Sequence, residues 1–201
     1  MIKSRAEYKY YLSQDKVALG IDRWSFKRRI LEIFVPHYTW RFQRRLRKVE
    51  YYGNCKRGLF NKLIYYILKR NCRDYGIKIG GVSIPENVFG PGLAIVHAGT
   101  IIVNPQARIG RNCRIQACTN IGASGGLPDA PIIGDNVYIG PGAKIYGKIS
   151  IPNNCAIAAN AAVGKSFYNE NMMIGGVPAK EIKPIDISTI IKHLDHSGHQ
   201  V

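Results

Sequence analysis

An aliphatic residue recurs at every sixth position between Val103 and Val163. The positions are Val103, Ile109, Ile115, Ile121, Leu127, Ile133, Ile139, Ile145, Ile151, Ile157 and Val163. The residue two places earlier is often small, as at Ala107, Cys113, Thr119, Ala143, Cys155 and Ala161. A period of six fits neither an α-helix nor an alternating strand. It predicts a parallel β-helix, in which three short strands make one turn and the aliphatic residues stack into an inner column.

The column continues upstream with its phase shifted by two residues. Its upstream members are Ile77, Ser83, Phe89, Ile95 and Ile101. The phase change falls just after His97, in the segment HAGTIIV. A coil that changes register at a histidine is predicted to be locally irregular there, and irregular backbone on a rigid scaffold is where chemistry is commonly placed. An adjustment at the end of the coil without any function is the alternative.

Positive charge is concentrated in the first 75 residues, which contain 19 Lys+Arg and 6 Asp+Glu, a net charge of +13. The remaining residues contain 10 Lys+Arg and 7 Asp+Glu, a net charge of +3. Such an excess fits nucleic acid, an anionic membrane surface or an acidic substrate. The basic residues lie among aromatics in WSFKRRILEIF and WRFQRRLRKVEYY, without a recognisable nucleic-acid motif. No nucleic-acid partner is therefore expected. A solvated helix face and contact with the inner membrane surface both stay open.

The cysteines and the apolar segments limit the cellular locations that the sequence suggests. An odd number of cysteines without paired spacing argues against a disulfide scaffold or a zinc site. They are Cys55, Cys72, Cys113, Cys118 and Cys155. Cys113 and Cys155 occupy the small position of the repeat and are predicted to be buried. The segment MIKSRAEYKYY lacks the apolar core of a signal peptide, and the apolar run 63–68 is too short to span a bilayer. A cytoplasmic location is expected, with peripheral attachment to the inner membrane face as an option.

Residues 1–76 are predicted to form a basic α-helical region. Helices are expected over 4–15, from Ser25 as an N-cap to Pro36, from Thr39 to Gly53, and over LFNKLIYYILKRNCRDY with an end near Gly76. The arginines on the helix faces away from the apolar side chains are expected to remain in water. Because the region is poor in aliphatic residues, we expect it to close one end of the coil or to pack on a neighbouring subunit.

The coil is assigned to residues 77–184. Its last part, NENMMIGGVPAKEIKPI, is predicted to be extended with a turn at Gly175 and Gly176, after coils ending near residue 167. Residues 185–201 are predicted to form a short helix and a tail. The tail contains His193, His196 and His199, but no carboxylate or cysteine partner is clear, so no metal site is predicted.

Three segments within residues 77–184 resemble one family. They are SIPENVFGPGLAIVHAGTIIVN, PIIGDNVYIGPGAKIYG and GGVPAKEI, and they resemble hexapeptide-repeat acyltransferases of the serine acetyltransferase-like branch. The N-terminal segments DKVALG and KVEYYGNC are similar to a variant associated with capsule and other surface-polysaccharide biosynthesis. The resemblance implies a mainly β fold, a left-handed parallel β-helix with an α-helical N-terminal extension. It also implies a homotrimer with active sites between adjacent coils.

The resemblance further implies acetyl transfer from acetyl-CoA to a hydroxyl acceptor, without a metal. His97 takes the place of the general base, and an imidazole titrating near neutrality suits removal of a hydroxyl proton. The positions that bind the cofactor fall on Pro141, Ala159, Gly164, Lys165 and Lys180. Small residues leave room for the pantetheine arm, and lysines can meet the phosphates as point charges.

Two departures from the family pattern bear on the acceptor. The aspartate that orients the family's histidine is replaced by Val82, so Ser83 or a backbone carbonyl is expected to fix the tautomer of His97. An arginine-histidine pair that binds the serine carboxylate becomes Asp129 and Ala130. A sugar hydroxyl of a surface polysaccharide or its precursor is therefore the predicted acceptor. L-Serine is the alternative acceptor, and a non-catalytic trimeric scaffold or membrane-surface binding module is the alternative of another class.

Overall fold

The computed structural model describes residues 1–23 and 25–194. Four helices come first: α1 Arg5–Ala18, α2 Phe26–Phe34, α3 Tyr38–Cys55 and α4 Leu59–Lys78. Side-chain caps begin three of them, since the Ser4 hydroxyl accepts the Glu7 N–H, the Ser25 hydroxyl accepts the Arg28 N–H, and the His37 ring accepts the Trp40 N–H. The four predicted helices are therefore confirmed.

Helix α4 ends at Lys78, two residues beyond Gly76, near which its end was predicted. Gly76 lies inside α4, and a Cβ there would approach the Val82 carbonyl oxygen to 2.2 Å. Its missing side chain allows the first strand to pack against the helix. The chain leaves α4 two residues later and turns at Gly80, whose φ is +104°.

Fourteen short strands follow along the described residues. They are β1 Val82–Ser83, β2 Ala94–Ile95, β3 Ile101–Val103, β4 Arg108–Ile109, β5 Arg114–Ile115, β6 Thr119–Gly122, β7 Ile132–Ile133, β8 Tyr138–Ile139, β9 Lys144–Tyr146, β10 Ser150–Ile151, β11 Ala156–Ile157, β12 Ala162–Val163, β13 Met172–Gly176 and β14 Ala179–Pro184. They form sheet A (β1-β3-β6-β9-β12), sheet B (β4-β7-β10) and sheet C (β2-β5-β8-β11-β13-β14). All pairs are parallel except β13 with β14. One turn therefore takes one strand from each sheet, and the fold is the predicted parallel β-helix.

The inner column of the β-helix contains ten of the eleven predicted residues. Those between Ile115 and Val163 are at most 2% exposed, apart from Leu127. Cys113 and Cys155 are also buried, as predicted, and burial raises the pKa of both thiols. The prediction for Leu127 was wrong, because this side chain is 62% exposed.

A loop over residues 123–131 explains that error. Ile133 pairs with Ile109 in sheet B. The segment that leads from sheet A to sheet B is therefore twelve residues long between Ile121 and Ile133. The corresponding segments from Val103 to Ile109 and from Ile145 to Ile151 are six residues long. The six extra residues leave the coil and return. An insertion of one full repeat length preserves the six-residue spacing in the sequence while moving Leu127 out of the core.

The upstream column is only partly as predicted. Phe89, Ile95 and Ile101 are buried, but Ile77 lies exposed at the end of α4, and Ser83 is also exposed. Val82 pairs with Ile101 and occupies the inner position instead. The repeat therefore begins at Val82, because the residues before it belong to the helix and its turn.

The helical region packs on the first turn of the coil, and one of its arginines is buried. Phe42, Leu46 and Val49 of α3 join the same hydrophobic core as Val82 and Leu93. The prediction that the arginines face water fails for Arg47, which is fully buried between α1 and the coil. Its guanidinium binds the Asp15 carboxylate and two backbone carbonyls, which compensate for the loss of water.

The C-terminal part covers one outer face of the coil. Strands β13 and β14 form an antiparallel hairpin that turns at Val177 and Pro178, two residues later than predicted at Gly175 and Gly176. Gly175 instead lies within β13, paired with Lys180, and its missing side chain allows close packing because a Cβ there would be 2.8 Å from the Ala158 Cβ. A 3₁₀ helix, Ile187–Thr189, then packs Ile187, Ile191 and Leu194 onto Ala156 of sheet C. His196 and His199 lie outside the described residues.

Candidate active site

His97 lies exposed in a widened corner between sheets C and A. The pairings of Ile95 with Ile115 and of Ile101 with Thr119 define this corner and the next one below it. Five residues, 96–100, span the upper corner, whereas three residues, 116–118, span the lower one. Two residues are thus inserted at His97, which confirms the predicted phase change. The insertion presents the imidazole at the edge of the coil.

The backbone of this corner is held on both sides. Gly99 has φ +145°, and a Cβ there would come within 2.9 Å of the Ala117 Cβ on the next coil. The Thr100 hydroxyl donates to the Gly80 carbonyl at 3.0 Å, and the Ile101 N–H donates to the Gly81 carbonyl at 3.2 Å. The enlarged corner is therefore a packed structure and not a loose loop.

The groups expected to orient the imidazole do not contact it. Val82 points into the core, and Ser83 lies beside Ile102 on the outer surface of sheet A. Throughout the described part of a single chain, no hydrogen bond reaches the His97 ring. Within one chain, neither Ser83 nor a backbone carbonyl makes the expected contact with the imidazole, and the group that fixes its tautomer stays a prediction.

Small residues lie below His97 along the same edge of the coil. Ile95, Ile115, Ile139 and Ile157 are in register, so His97 heads a line that continues through Ala117, Pro141 and Ala159. At about 4.8 Å per strand, Pro141 lies two levels, or roughly 10 Å, below His97, and Ala159 lies roughly 14 Å below it. We call this line the corner column. It offers a narrow, shallow surface to an extended ligand.

Lys180 lies at the lower end of the corner column. It pairs with Gly175 in the β13–β14 hairpin, and Gly175 packs directly on Ala158. The Lys180 side chain is exposed. The structure therefore brings Pro141, Ala159 and Lys180 to the edge that also bears His97.

Gly164 and Lys165 lie elsewhere, at the opposite edge of sheet A after β12. A Cβ on Gly164 would be 2.7 Å from the Tyr146 ring, so this glycine is needed for close packing within the chain. The Lys165 ammonium lies 5.5 Å from the centre of the Phe167 ring. Within one chain, these two residues are separated from the corner column by the width of sheet A.

The loop 123–131 also lies at that opposite edge. Its Asp129 carboxylate is 3.5 Å from the Lys148 ammonium, and Ala130 is buried beneath the loop. The two positions aligned with the family's arginine-histidine pair thus provide one carboxylate and one buried methyl group. Neither can donate a hydrogen bond from its side chain to a carboxylate ligand.

Sequence reasoning missed three buried polar side chains that contact the segment ahead of His97. Asp15 accepts the N–H groups of Gly92 and Leu93 at 3.0 and 2.9 Å. Gln43 donates to the Leu93 carbonyl at 2.7 Å and accepts the Ile95 N–H at 3.0 Å, and Arg47 donates to the carbonyls of residues 89 and 90. The only signal in the sequence is the spacing of residues 43 and 47, which places them on one helix face.

Metal-ligand clusters and membrane spans were sought in the same residues. Within residues 1–23 and 25–194, no group of three histidine, cysteine or acidic side chains is arranged to hold a metal ion. None of the helices described above is both long and apolar enough to cross a membrane.

The fold and the repeat are shared with known transferases. The bacterial transferase hexapeptide family (six repeats) matches residues 130–165. The serine acetyltransferase of Brucella abortus has a similar crystal structure, with a TM-score of 0.69 and 24% identity over 90% of this chain and 71% of that one. A second crystal structure of that protein, in complex with coenzyme A, gives a TM-score of 0.67 with 24% identity over 90% and 70%. These similarities establish the left-handed β-helix fold with its N-terminal helices.

Sequence similarity points to the same branch. The serine acetyltransferase of Mycobacterium tuberculosis is 34% identical over 119 residues, covering 58% of this chain and 52% of the relative. That of Staphylococcus xylosus is 33% identical over 134 residues, covering 65% and 61%. The chain thus spans between half and two thirds of the length of these relatives. The predicted resemblance to the serine acetyltransferase-like branch of hexapeptide-repeat acyltransferases is confirmed.

Proposed function

We propose that the chain is an O-acetyltransferase that moves the acetyl group of acetyl-CoA to a hydroxyl, with His97 as the general base. The observation that supports this most is the exposed imidazole at the head of the corner column. The imidazole removes the proton of the acceptor hydroxyl as its oxygen attacks the thioester carbonyl carbon. The tetrahedral intermediate then collapses, the carbon–sulfur bond breaks, and the imidazolium returns the proton to the departing CoA thiolate.

The corner column suggests how acetyl-CoA would be oriented along the coil. A thioester next to His97 would place the pantetheine arm along Ala117, Pro141 and Ala159, and the phosphates near Lys180. One of the similar serine acetyltransferase structures contains coenzyme A. Gly164 and Lys165 fit the same ligand if they come from a neighbouring subunit, as they would in a homotrimer with sites between coils. We therefore include the homotrimer in the proposal, and mass measurement of the purified protein in solution tests it.

Replacing Lys180 or Lys165 by alanine should weaken the binding of acetyl-CoA about fivefold in each case. This factor corresponds to about 1 kcal/mol, the contribution of an exposed charge contact. The loss should shrink with the analogue that lacks the 3′-phosphate, because a lysine contributes mainly charge. Calorimetric titration of both ligands measures this difference. Lys183→Ala is the matched control, since Lys183 is an exposed lysine of the same strand that pairs with Met173, away from the corner. Equal affinities of all three variants and wild type would make Lys180 and Lys165 ordinary surface residues.

L-Serine is the acceptor that the comparisons favour, since the relatives named above are serine acetyltransferases. The expectation of a surface-polysaccharide sugar receives no support from them. We therefore propose L-serine as the acceptor. A sugar hydroxyl is the second candidate on one observation, the side chains of Asp129 and Ala130, which offer no donor to a serine carboxylate. An unpaired buried carboxylate costs several kcal/mol.

Steady-state kinetics of thiol release from acetyl-CoA separate these possibilities. We expect saturation with L-serine at a KM on the order of 1 mM or below and a turnover on the order of 10 per second. Release with sugars or oligosaccharides, and only background with L-serine, would favour the second acceptor. Release with neither would leave a trimeric scaffold or a surface-binding module.

The helical region suits contact with an anionic surface, which we propose as a peripheral interaction at the inner membrane face from the cytoplasm. In α2, the apolar side chains of Ile33 and Phe34 are exposed, and the same helix carries the exposed basic residues Lys27 and Arg28. Exposed apolar side chains next to basic ones favour the interface of anionic lipids. Co-sedimentation with vesicles that contain anionic lipid, compared with neutral vesicles, tests this contact.

A further inference from the structure

Strand β2, which leads to His97, lies at the end of sheet C and has one neighbour strand, β5. The N–H groups of Ala94 and Val96 donate to that neighbour, at the carbonyls of Cys113 and Ile115. The N–H of Ile95 points to the other side, where a further coil would otherwise accept it. Such an open edge leaves backbone polar groups that need partners once they are buried.

Side chains of the helical region take the place of that missing coil. Gln43 of α3 is fully buried and binds β2 as a strand would, with its amide donating to the Leu93 carbonyl at 2.7 Å and its oxygen accepting the Ile95 N–H at 3.0 Å. Asp15 of α1 accepts the N–H groups of Gly92 and Leu93. The hydrogen bonds from the Gln43 side chain to the backbone of β2 reach as far as Ile95, two residues before His97.

The helical region also holds the far end of the same corner. Thr100 and Ile101 bind the carbonyls of Gly80 and Gly81, which lie in the turn after α4. The corner is two residues longer than the one below it, so stacking of coils alone does not determine its conformation. Its two ends are fixed by α3 on one side and by the turn after α4 on the other.

We infer that Gln43 is a positioning residue for acetyl transfer, which acts by fixing the backbone from which His97 projects. The inference depends on the proposed function of His97 and adds a role for the helical region within it. A general base works only within hydrogen-bond reach of the acceptor proton, and a misplacement of about 1 Å can cost roughly 100-fold in rate. The hydrogen bonds of Gln43 go to Leu93 and Ile95, which do not belong to the corner column, so we expect cofactor binding to be independent of Gln43.

The test compares Gln43→Met, which keeps the volume of the side chain and removes both hydrogen bonds, with wild type. We expect kcat to fall roughly 10- to 100-fold while the KM for acetyl-CoA stays within about twofold. Val49→Ala is the matched control, because Val49 is a buried residue of the same helix without a polar contact to residues 89–95. It should lower thermal stability and leave kcat close to wild type.

Gln43→Glu provides a pH-dependent measurement that would not change if Gln43 had only a structural role. A protonated glutamic acid reproduces the donor and acceptor of the amide, whereas the carboxylate loses the donor to Leu93, and burial raises the pKa of such a carboxyl. The ratio of its kcat to that of wild type should therefore rise as the pH falls. Dividing by wild type removes the pH dependence that the two proteins share. A flat ratio, or an unchanged kcat in Gln43→Met, overturns the inference.

The imidazole signal of His97 in NMR spectra of ¹³C-labelled protein separates this inference from the proposed function. In Gln43→Met we expect the His97 signal to shift or broaden while that of His193, which contacts Asn112 at another corner, stays unchanged. If wild type transfers no acetyl group, the proposed function fails, and the NMR result still decides whether Gln43 orders His97. An unmoved His97 signal rejects the positioning role even in an active enzyme.

Discussion

Replacing His97 by alanine should lower turnover roughly 100-fold to 10,000-fold, the range expected for loss of a general base. The affinity for acetyl-CoA should stay close to wild type, because the imidazole acts on the acceptor proton and the cofactor lies along the coils below it. Steady-state kinetics give the first quantity and calorimetric titration gives the second. His97 is exposed and, within the described chain, free of hydrogen bonds, so its removal should not change the melting temperature.

Two further variants sharpen this result. His97→Gln keeps a polar side chain of similar reach without a basic nitrogen, and it should be as inactive as alanine. His193→Ala removes another imidazole, which contacts Asn112 away from the corner column, and it should retain activity. A His97→Ala protein that keeps most of its turnover would exclude this residue from the mechanism. A loss of cofactor affinity that accounts for the whole effect would make His97 a binding residue instead.

Periodicity made the β-helix predictable, and it also produced the errors in the core. Each coil repeats the same spacing, so ten positions from Val103 to Val163 could be assigned without knowing any contact. Leu127 was misplaced because its loop inserts six residues, one full repeat, and leaves the arithmetic intact. Ser83 was misplaced because the helix and its turn interrupt the pattern before Val82. A sequence period cannot distinguish a coil from an insertion of equal length.

The candidate site was predictable in part. The phase shift indicated an irregular corner at His97, and the family resemblance supplied a role for the imidazole. The assignment of Pro141, Ala159 and Lys180 to one edge, and of Gly164 and Lys165 to another, required the pairing register of the strands. Residues that hold the corner, such as Gln43, could not be predicted because their partners are backbone groups about fifty positions away.

Arg47 shows most clearly why the helical region was misjudged. Its neighbours in the sequence are basic, and a local pattern places such a side chain in water. In the fold, α1 brings the Asp15 carboxylate against it, and α3 itself supplies Glu50 one turn away. Burial by itself lowers the pKa of Arg47, but the charges of Asp15 and Glu50 outweigh this effect and raise it. The guanidinium is therefore held charged inside the protein by partners that sequence alone does not reveal.

Replacing Arg47 by methionine should lower the free energy of unfolding by about 3–5 kcal/mol, the cost of breaking a buried ion pair from one side. All five N–H donors of the guanidinium have partners: two oxygens of Asp15, one of Glu50, and the carbonyls of Phe89 and Gly90. Methionine fills much of the volume but leaves Asp15 and Glu50 as buried, uncompensated charges. Urea unfolding at neutral pH and equal protein concentration measures the loss.

Arg111→Met is the matched control for this prediction. Arg111 binds the Asp135 carboxylate at 3.1 Å in a comparable pair, but its side chain is 62% exposed. Water screens such a pair, so its removal should cost at most about 1 kcal/mol. Arg47→Lys should fall between the two arginine-to-methionine variants, because an ammonium keeps the charge and loses the forked geometry that reaches Asp15 and the carbonyls together. If Arg47→Met and Arg111→Met destabilise the protein equally, the buried cluster does not hold the helices to the coil.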